Sequence, residues 1–304
     1  MKSGNALRVL AEITVHQWGM VTSAQAAMHG ITRLTLSRLA EAGHLERLAH
    51  GVYKVSGTPS DQFEDLRVAW LSTEPKATGE NRLREREAGV VVAGASAARL
   101  HEIGDLWPGR HEFVSPKRRQ SQRAEIRYRQ RTLEPSDVTL VQGLPTMTIE
   151  RTIADLVEEI ADLSLVGDAL RDAASKRNLD FDRLRELLIP LAARNGFRRQ
   201  DRDGLLNRLL EIAQLDAETV AHHIAADPEL GSRVAARYLD SLDIPDLEWL
   251  VMTPEIRESM QATSDAISRA TQTTGKSLTA KWTPKPETLA AIHAVQKASA
   301  HDRT

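Results

Sequence analysis

One stretch, residues 21–55, constrains the fold of this chain more than any other. It reads VTSAQAAMHGITRLTLSRLAEAGHLERLAHGVYKV. Helix and hairpin signals predict a short helix, a turn, a second helix and then two short strands joined at His50-Gly51. With a further helix predicted over residues 6–18, this order is typical of a winged helix-turn-helix.

The second helix of this stretch has clear end signals. Thr32 can cap its N-terminus, and Ile31 before the cap can pack against Leu36 as a hydrophobic staple. Gly43 stands where a left-handed residue would end the helix. The sequence therefore predicts an eleven-residue helix that begins at Thr32.

The outward face of this helix is polar and partly basic. The apolar pattern turns Leu36, Leu39 and Ala40 inward and leaves five side chains outward: Arg33, Thr35, Ser37, Arg38 and Glu41. Such a face could enter a major groove, where arginine offers forked donors to guanine and hydroxyls reach phosphates or base edges. The predicted wing would bring three more side chains near backbone phosphates: Arg47, His50 and Lys54. The alternative is a winged helix that binds a protein.

Composition limits the classes of protein to which this chain can belong. Residues 1–57 contain six basic and three acidic side chains, a formal charge of +3, whereas the whole chain carries −2. Affinity for nucleic acid must therefore come from a local patch. The chain has no cysteine, which excludes disulfides, thiolate chemistry and cysteine zinc sites and suits a reducing cytoplasm. Apolar runs are too short for a membrane span or a signal peptide, so we expect a soluble cytoplasmic protein.

Beyond the wing the patterns predict an α+β protein with four regions. These are the winged helix-turn-helix over 1–58, a central mixed α/β domain with a linker helix over 59–162, a mostly helical region over 163–260 and a polar tail over 261–304. The linker helix, 61–71, is predicted to be amphipathic, and the charge-dense segment 72–87 to be exposed.

Local signals predict the elements of the later regions. In the central domain they are a strand over 90–93, a small-residue helix over 94–101 capped by Ser96, strands over 111–115 and 125–129 in a hairpin-rich sheet, a strand over 138–141, and a helix over 148–160 capped by Thr148. The helical region is predicted to contain helices over 164–177, 180–193, 200–214, 217–226 and 229–241, and the tail one weak helix over 287–298.

Two charged stretches are candidate interaction surfaces. Residues 117–131 carry seven basic side chains against one acidic one, and a second phosphate-binding surface could include Lys117, Arg118, Arg119 and Arg123. A solvated hairpin is the equal alternative. Residues 211–258 carry eleven acidic against three basic side chains, a formal charge of −8, and could contact a partner protein.

Three motifs in order resemble one family. They are Gly51-Val52-Tyr53 at the wing, GASAARLH at 94–101, and Gly143-Leu144-Pro145 followed by TIERTIADL at 148–156. This combination resembles the AbiEi antitoxins of type IV toxin–antitoxin and abortive-infection systems. The resemblance implies an N-terminal winged helix that represses its own operon at repeated operator sites, and a C-terminal domain that neutralises an AbiEii nucleotidyltransferase toxin. The family often has glycine directly after the histidine, whereas here Glu102 and Ile103 precede Gly104.

The resemblance implies roles for particular residues. DNA binding would rest on Arg33, Thr35, Ser37, Arg38, Arg47, His50 and Lys54. Antitoxicity would rest on Ser96, His101, Arg151 and Asp155. Arg151 and Asp155 are spaced i, i+4 on the predicted helix, so they could also simply pair with each other.

Other functions stay open. The protein could sequester a toxin by direct contact through its acidic helical region, or be a winged-helix regulator without a toxin partner. Catalytic patterns fail on context: 270–277 resembles a P-loop without a preceding strand, Gly94–Ala98 lacks the second glycine of a nucleophile elbow, and His222 and His223 diverge on a helix. Asp105 with Glu125 and Arg127 lacks the lysine expected of a metal-dependent nuclease. We therefore expect no enzyme, cofactor or metal, and an oligomer is possible on DNA.

Overall fold

The computed structural model describes residues 3–241, apart from residues 85, 87, 177 and 178. The chain divides into a compact unit that ends at Asp227 and a second unit that begins at Pro228. The predicted polar tail, its weak helix and the last part of the predicted helical region lie outside the described residues. The fold is α+β, as predicted, with helices and two sheets.

The N-terminal segment follows the element order that a winged helix requires. Its elements are α1 (Ser3–Thr14), β1 (Met20–Thr22), α2 (Ser23–Met28), α3 (Arg33–Glu41), β2 (Leu45–Ala49) and β3 (Val52–Val55). Leu10, Leu36 and Leu39 are buried together where the helices meet. Helix α1 is shorter than the predicted 6–18, because Trp18 lies in the following turn with a φ of 57°.

Strand β1 was not predicted, and it changes the sheet. The strand order is β1-β3-β2 with antiparallel pairing throughout, so β3 is the central strand. Three residues at the end of a turn carry too short a pattern for a sequence signal. As a result, the side chains of β3 have neighbours on both sides instead of standing on the outer strand of a hairpin.

Helix α4 (Glu64–Thr73) follows the N-terminal segment and is a core helix. The prediction of an amphipathic linker helix over 61–71 was wrong, since six consecutive residues from Leu66 to Leu71 are buried. Trp70 is fully buried and donates a hydrogen bond to the carbonyl of Val90 at 2.9 Å. The next helix, α5 (Gly79–Arg84), buries Arg82 against the Trp70 ring at 3.4 Å, so the predicted exposure of 72–87 does not hold there.

A five-stranded sheet forms the centre of the first unit. Its strand order is β6-β5-β4-β8-β7, and the bounds are β4 (Val91–Val92), α6 (Gly94–His101), β5 (His111–Ser115), β6 (Ile126–Gln130), β7 (Val138–Val141), β8 (Leu144–Met147) and α7 (Ile149–Glu159). Strands β5 and β6 run parallel, so the predicted hairpin between them was wrong. Alternating polarity marks a strand but not its direction, and residues 116–125 make a crossover connection instead of a tight turn.

Helices pack behind α7. They are α8 (Leu163–Lys176), α9 (Phe181–Leu188) and α10 (Gly204–Ala213). Helix α11 (Ala217–Ala226) follows and has no buried residue, and α12 (Pro228–Ser241) lies in the second unit. Pro190 ends the predicted helix 180–193 early, and residues 189–195 continue as a 3-10 helix. Leu156, Leu170, Leu184 and Leu209 belong to one buried cluster, which joins α7 to α10. The domain boundaries predicted at 58 and 162 remain predictions.

Candidate nucleic-acid interface

The ends of α3 are built as its sequence predicts. The Thr32 hydroxyl accepts a hydrogen bond from the backbone N–H of Thr35 at 3.1 Å, which caps the helix. Ile31 and Leu36 are both buried in the same cluster, as a hydrophobic staple requires. Gly43 lies beyond the helix with a φ of 76°. These predictions are confirmed, and they give α3 a defined length and direction.

The outward face of α3 offers its two arginines to solvent. Arg33 and Arg38 are exposed. Thr35 and Ser37 are half-buried and already hydrogen-bonded, Thr35 to the Thr32 hydroxyl at 3.0 Å and Ser37 to the Glu41 carboxylate at 3.1 Å. The arginines are therefore free to reach a ligand, whereas the hydroxyls would have to exchange a partner within the helix.

Leu34 is a member of this face that the sequence analysis missed. Its side chain is 60% exposed, next to Arg33 and on the same face as Arg38. The helical periodicity indicates this exposure. At roughly 100° per residue, Leu34 stands about 200° from Leu36 and therefore opposite the buried stripe. An exposed leucine between two arginines can contact the methyl group of thymine in a major groove.

The hairpin formed by β2 and β3 is present, and two of its three predicted side chains are exposed. Arg47 and His50 reach solvent, with the Arg47 Nη2 atom 3.4 Å from His50 Nδ1. Gly51 forms the turn with a φ of 75°, a backbone conformation that favours glycine. The tip of the hairpin thus carries one cation and one titratable ring.

Lys54 does not face a ligand, and its assignment to DNA binding was wrong. It is only 2% exposed, and its ammonium group donates to Ser60 Oγ and Glu64 Oε2, each at 2.6 Å. Glu46 Oε2 lies 3.3 Å away. Burial opposes the charged form, but the hydrogen bonds to the two glutamates prevail and raise the Lys54 pKa. The physical reason is the central position of β3, whose side chains are covered by the segment that leads into α4.

The predicted second basic surface is only partly available. Lys117 and Arg118 are exposed, whereas Arg119 pairs with Glu74 and donates to the carbonyl of Thr73 at 3.3 Å. Arg123 donates from Nη2 to the carbonyl of His50 at 2.6 Å. The loop that carries these residues, 116–125, is therefore attached to the tip of the β2–β3 hairpin.

Two residues of the predicted antitoxicity set stabilise the central fold. Ser96 is 1% exposed, and its hydroxyl accepts a hydrogen bond from the backbone N–H of Glu112 at 3.0 Å. Its predicted role as a helix cap was wrong, because α6 begins after Ala93 without a side-chain cap. His101 is half-buried, with Nε2 2.7 Å from the carbonyl of Met147.

The other two residues belong to a network of arginines and carboxylates. Asp155 is fully buried; it accepts from the backbone N–H of Gly94 at 3.0 Å and from Arg129 Nη1 at 2.8 Å. Burial opposes the charged form of Arg129, but the hydrogen bond to Asp155 prevails and raises its pKa. The predicted pairing of Arg151 with Asp155 was wrong, since the carboxylate nearest to Arg151 is that of Glu158, at 4.0 Å.

The sequence contains a signal for this network that we did not use. Arg127 and Arg129 alternate along one strand and so extend from one face of the sheet, and Arg131 continues the same alternation directly after the strand. On α7, Asp155, Glu158 and Glu159 meet them. Basic side chains that look like a surface for phosphate are thus mostly used for ion pairs with the protein's own helix.

The described part of the chain offers neither a metal-binding cluster nor a membrane-spanning helix. Among residues 3–241 without the four undescribed positions, no group of three or more His, Asp or Glu side chains could hold a metal ion. Asp105 accepts from Trp107 Nε1 at 3.0 Å, and Glu125 lies 3.6 Å from Arg123. No helix within those same limits is long and apolar enough to cross a membrane.

A capped helix with outward arginines, followed by a hairpin, gives the N-terminal segment the element order of a winged helix. Residues 8–55 match the family model described as "Transcriptional regulator, AbiEi antitoxin". This match supports the AbiEi resemblance for the N-terminal segment. The central motifs at 94–101 and 143–156 lie outside the matched residues.

Two further comparisons complete this picture. Among solved structures, the chain is similar to the "RV2827C protein from Mycobacterium tuberculosis", with a TM-score of 0.42 and 18% identity over 69% of this chain and 76% of that one. No curated protein matches the chain.

Proposed function

We propose that this protein is a DNA-binding autorepressor and the antitoxin of a type IV toxin–antitoxin system, opposing a nucleotidyltransferase-type toxin. The observation that carries the proposal is α3, which buries Leu36 and Leu39 and leaves Arg33 and Arg38 exposed. The family match over residues 8–55 supports the regulatory role. The protein acts in the cytoplasm, on repeated sites in its own operator, where several copies can assemble on the DNA.

The geometry suggests how the complex forms. Helix α3 enters the major groove, where Arg33 and Arg38 donate to guanine and Leu34 contacts a thymine methyl. Arg47 and His50 at the hairpin tip lie over the adjoining backbone. Lys54 is left out of this interface because it is buried. The antitoxicity roles implied for Ser96, His101, Arg151 and Asp155 stay predictions.

The first experiment measures binding to the DNA upstream of the protein's own gene. Arg33→Ala with Arg38→Ala removes both forked donors and should weaken binding by about 2–6 kcal/mol, at about 1–3 kcal/mol for each base contact. Arg8→Ala is the matched control, because Arg8 is 69% exposed on α1 and pairs only with its own helix. Fluorescence anisotropy at low salt gives the readout. Unchanged binding by the double variant would refute the use of α3.

The basic loop extends the interface along the backbone. Because Arg123 attaches the loop to the hairpin tip, the exposed Lys117 and Arg118 are placed to contact flanking phosphates. Lys117→Ala with Arg118→Ala should reduce the slope of log affinity against log salt by about 1.8, at about 0.9 for each phosphate. An unchanged slope would leave this loop outside the interface.

A second candidate function is direct binding of the toxin, and one groove favours it. Between α10 and α11 lies an open groove of about 550 Å³, lined by Leu210, Leu215 and Val220 and edged by Glu211 and Asp216. Its apolar floor and acidic rim would suit a toxin that presents a basic, partly apolar surface. Val220→Asp should abolish co-purification with the neighbouring gene product, whereas Val15→Asp, at a valine 68% exposed on the N-terminal segment, should not. If the protein neutralises the toxin without forming a complex with it, direct binding is excluded as its function.

We also propose that the protein has no catalytic activity. Its ionisable clusters are used in ion pairs, as in the pairing of Arg127 with Glu112 at 2.9 Å. Incubation of a DNA or RNA substrate with Mg²⁺ or Mn²⁺ should give no cleavage by the wild type. Cleavage that is lost on Glu125→Ala would make the protein a nuclease and overturn this proposal.

A further inference from the structure

Arg151 is the most anomalous polar side chain in the described part of the molecule. Its side chain is 9% exposed, and its Nε atom is buried without a hydrogen-bond partner. Within that part of the chain, the closest carboxylate oxygen is Glu158 Oε2 at 4.0 Å, too far for a hydrogen bond. Burial, with the nearby Arg131, lowers the Arg151 pKa, as expected of a cation whose solvation has not been replaced.

Two more arginines surround the same carboxylate. Arg131 pairs with Glu158 Oε2 through Nη2. Arg194 places Nη1 3.7 Å from Glu158 Oε1, and its Nη2 donates to the main-chain carbonyl of Glu158 at 3.3 Å. We call Arg131, Arg151, Arg194 and Glu158 the arginine pocket. Three guanidinium groups thus converge on one carboxylate, a local excess of two positive charges.

The neighbouring carboxylates Asp155 and Asp137 offset this excess only in part. Asp155 is engaged by Arg129, and Arg131 reaches it only at 3.8 Å. Asp137 accepts from Arg183 Nη2 at 2.7 Å. Both acidic groups are hydrogen-bonded to other arginines, so within the described residues the buried charge of Arg151 has no hydrogen-bonded carboxylate.

The pocket is open on one side. The Arg194 side chain is 61% exposed, whereas those of Arg131 and Glu158 are about a quarter exposed. An anion could enter past Arg194 and meet Arg151 at the inner end. Planar guanidinium groups match the oxygen spacing of carboxylates and phosphates, and a buried guanidinium gains most from such a partner.

We propose that the arginine pocket binds a small phosphate-type oxyanion, either inorganic phosphate or the phosphate of a mononucleotide. Arg151 is the inner ligand, Arg131 and Arg194 are the outer ligands, and Glu158 competes with the anion for the same three cations. The site is separate from α3 and the β2–β3 hairpin, and it does not depend on the proposed DNA binding.

The test is calorimetric titration of the full-length protein with inorganic phosphate and with AMP, in chloride buffers of matched ionic strength. Saturable binding at one site is expected. Arg151→Gln should weaken it by about tenfold or more, because a charge-assisted hydrogen bond is lost. Glu158→Gln should strengthen it, because the competing carboxylate is gone. Arg208→Gln is the control, since Arg208 is 55% exposed and pairs with Glu211 on α10.

The affinity for the anion should fall in Arg151→Gln and rise in Glu158→Gln. Loss of a merely structural contact would not change the affinity in opposite directions. Circular dichroism checks that each variant is folded, and if Arg151→Gln is not, Glu158→Gln decides the matter. Tighter binding of AMP than of phosphate identifies a nucleotide as the source, and equal binding identifies the free anion. The proposal is overturned if binding does not saturate, or if Arg151→Gln and Arg208→Gln lose the same affinity. It is also overturned if Glu158→Gln binds the anion no more tightly than the wild type, or if the protein binds only duplex DNA.

Discussion

Lys54 is held by three oxygen acceptors at a position where its strand is covered on both sides. Its ammonium group contacts Ser60, Glu64 and Glu46, two of which belong to the segment that leads into α4 and to its first turn. A lysine in this position connects the hairpin to the rest of the unit. Its contribution at the residue scale is therefore to stability.

We predict that Lys54→Met lowers the free energy of unfolding by about 1–3 kcal/mol, because Glu64 is left partly buried without its partner. Since the folded-state pKa of Lys54 is raised above its ordinary value of 10.5, its contribution is complete below pH 10.5 and is lost as pH rises through the folded-state pKa. Urea denaturation at pH 8 and pH 11 measures both effects. A wild type and variant that differ equally at both pH values would contradict this account.

Asp155 is the second residue whose role is structural. It neutralises Arg129 and accepts the N–H of Gly94 at the start of α6. Asp155→Asn should cost about 1–3 kcal/mol in urea denaturation, because Arg129 loses its buried partner and keeps only Glu159 Oε1, 3.4 Å from its Nη1 atom. Asp168→Asn, which removes an exposed partner of Arg171, should cost less than about 0.5 kcal/mol. If both variants lose a similar free energy of unfolding, the burial of Asp155 does not contribute to stability.

At the scale of elements, the start of α6 depends on a glycine. Gly94 has a φ of 54°, and a Cβ atom there would come within 1.9 Å of Glu112 Oε2, the oxygen that accepts the N–H of Ala95. Gly94→Ala should therefore destabilise the protein by at least about 1–2 kcal/mol from the backbone conformation alone. Thermal unfolding checks this, with Gly4→Ala on α1 as a control that meets no neighbour. Equal melting temperatures would refute the clash.

Helix α3 could be predicted from sequence because its signals are local. Thr32, Ile31, Leu36 and Gly43 determine the two ends and the buried face within a dozen residues. The same helical periodicity also predicts that Leu34 is exposed, but an apolar side chain gives no charge signal for a binding face.

Elements that depend on distant partners could not be predicted in this way. Three features require knowing which segments meet in space: the parallel pairing of β5 with β6, the burial of Lys54 by the segment that leads into α4, and the hydrogen bond between Ser96 and Glu112. The arginines of β6 illustrate the limit most clearly. Their spacing indicates a common face, but only the fold brings α7 against that face and turns a basic surface into ion pairs.

At the scale of the whole unit, the N-terminal segment shares its core with the central sheet. Met20 and Val52 belong to the same buried cluster as Trp70 and Phe113, and the Gln25 side chain donates to the carbonyl of Ala77 at 2.8 Å. These contacts fix the direction of α3 relative to the loop over 116–125. The N-terminal segment and the central sheet are therefore parts of one compact unit.

A fragment of residues 1–58 should consequently be much less stable than the full chain. Removing the rest of the unit exposes Met20 and Val52 and leaves Lys54 without Glu64. We expect its circular dichroism melting curve to lie well below that of the intact protein, with a broad transition. A fragment that melts cooperatively at the same temperature would contradict the shared core.

The central claim, that the arginines of α3 read a specific DNA sequence, has one direct test. Anisotropy titrations at physiological salt compare the DNA upstream of the protein's own gene with a scrambled duplex of the same composition. The wild type should bind its own DNA about a thousandfold more tightly than the scrambled duplex, and Arg33→Ala with Arg38→Ala should lose most of that ratio. A wild type that binds both duplexes equally, or a double variant that keeps the ratio, would contradict the claim.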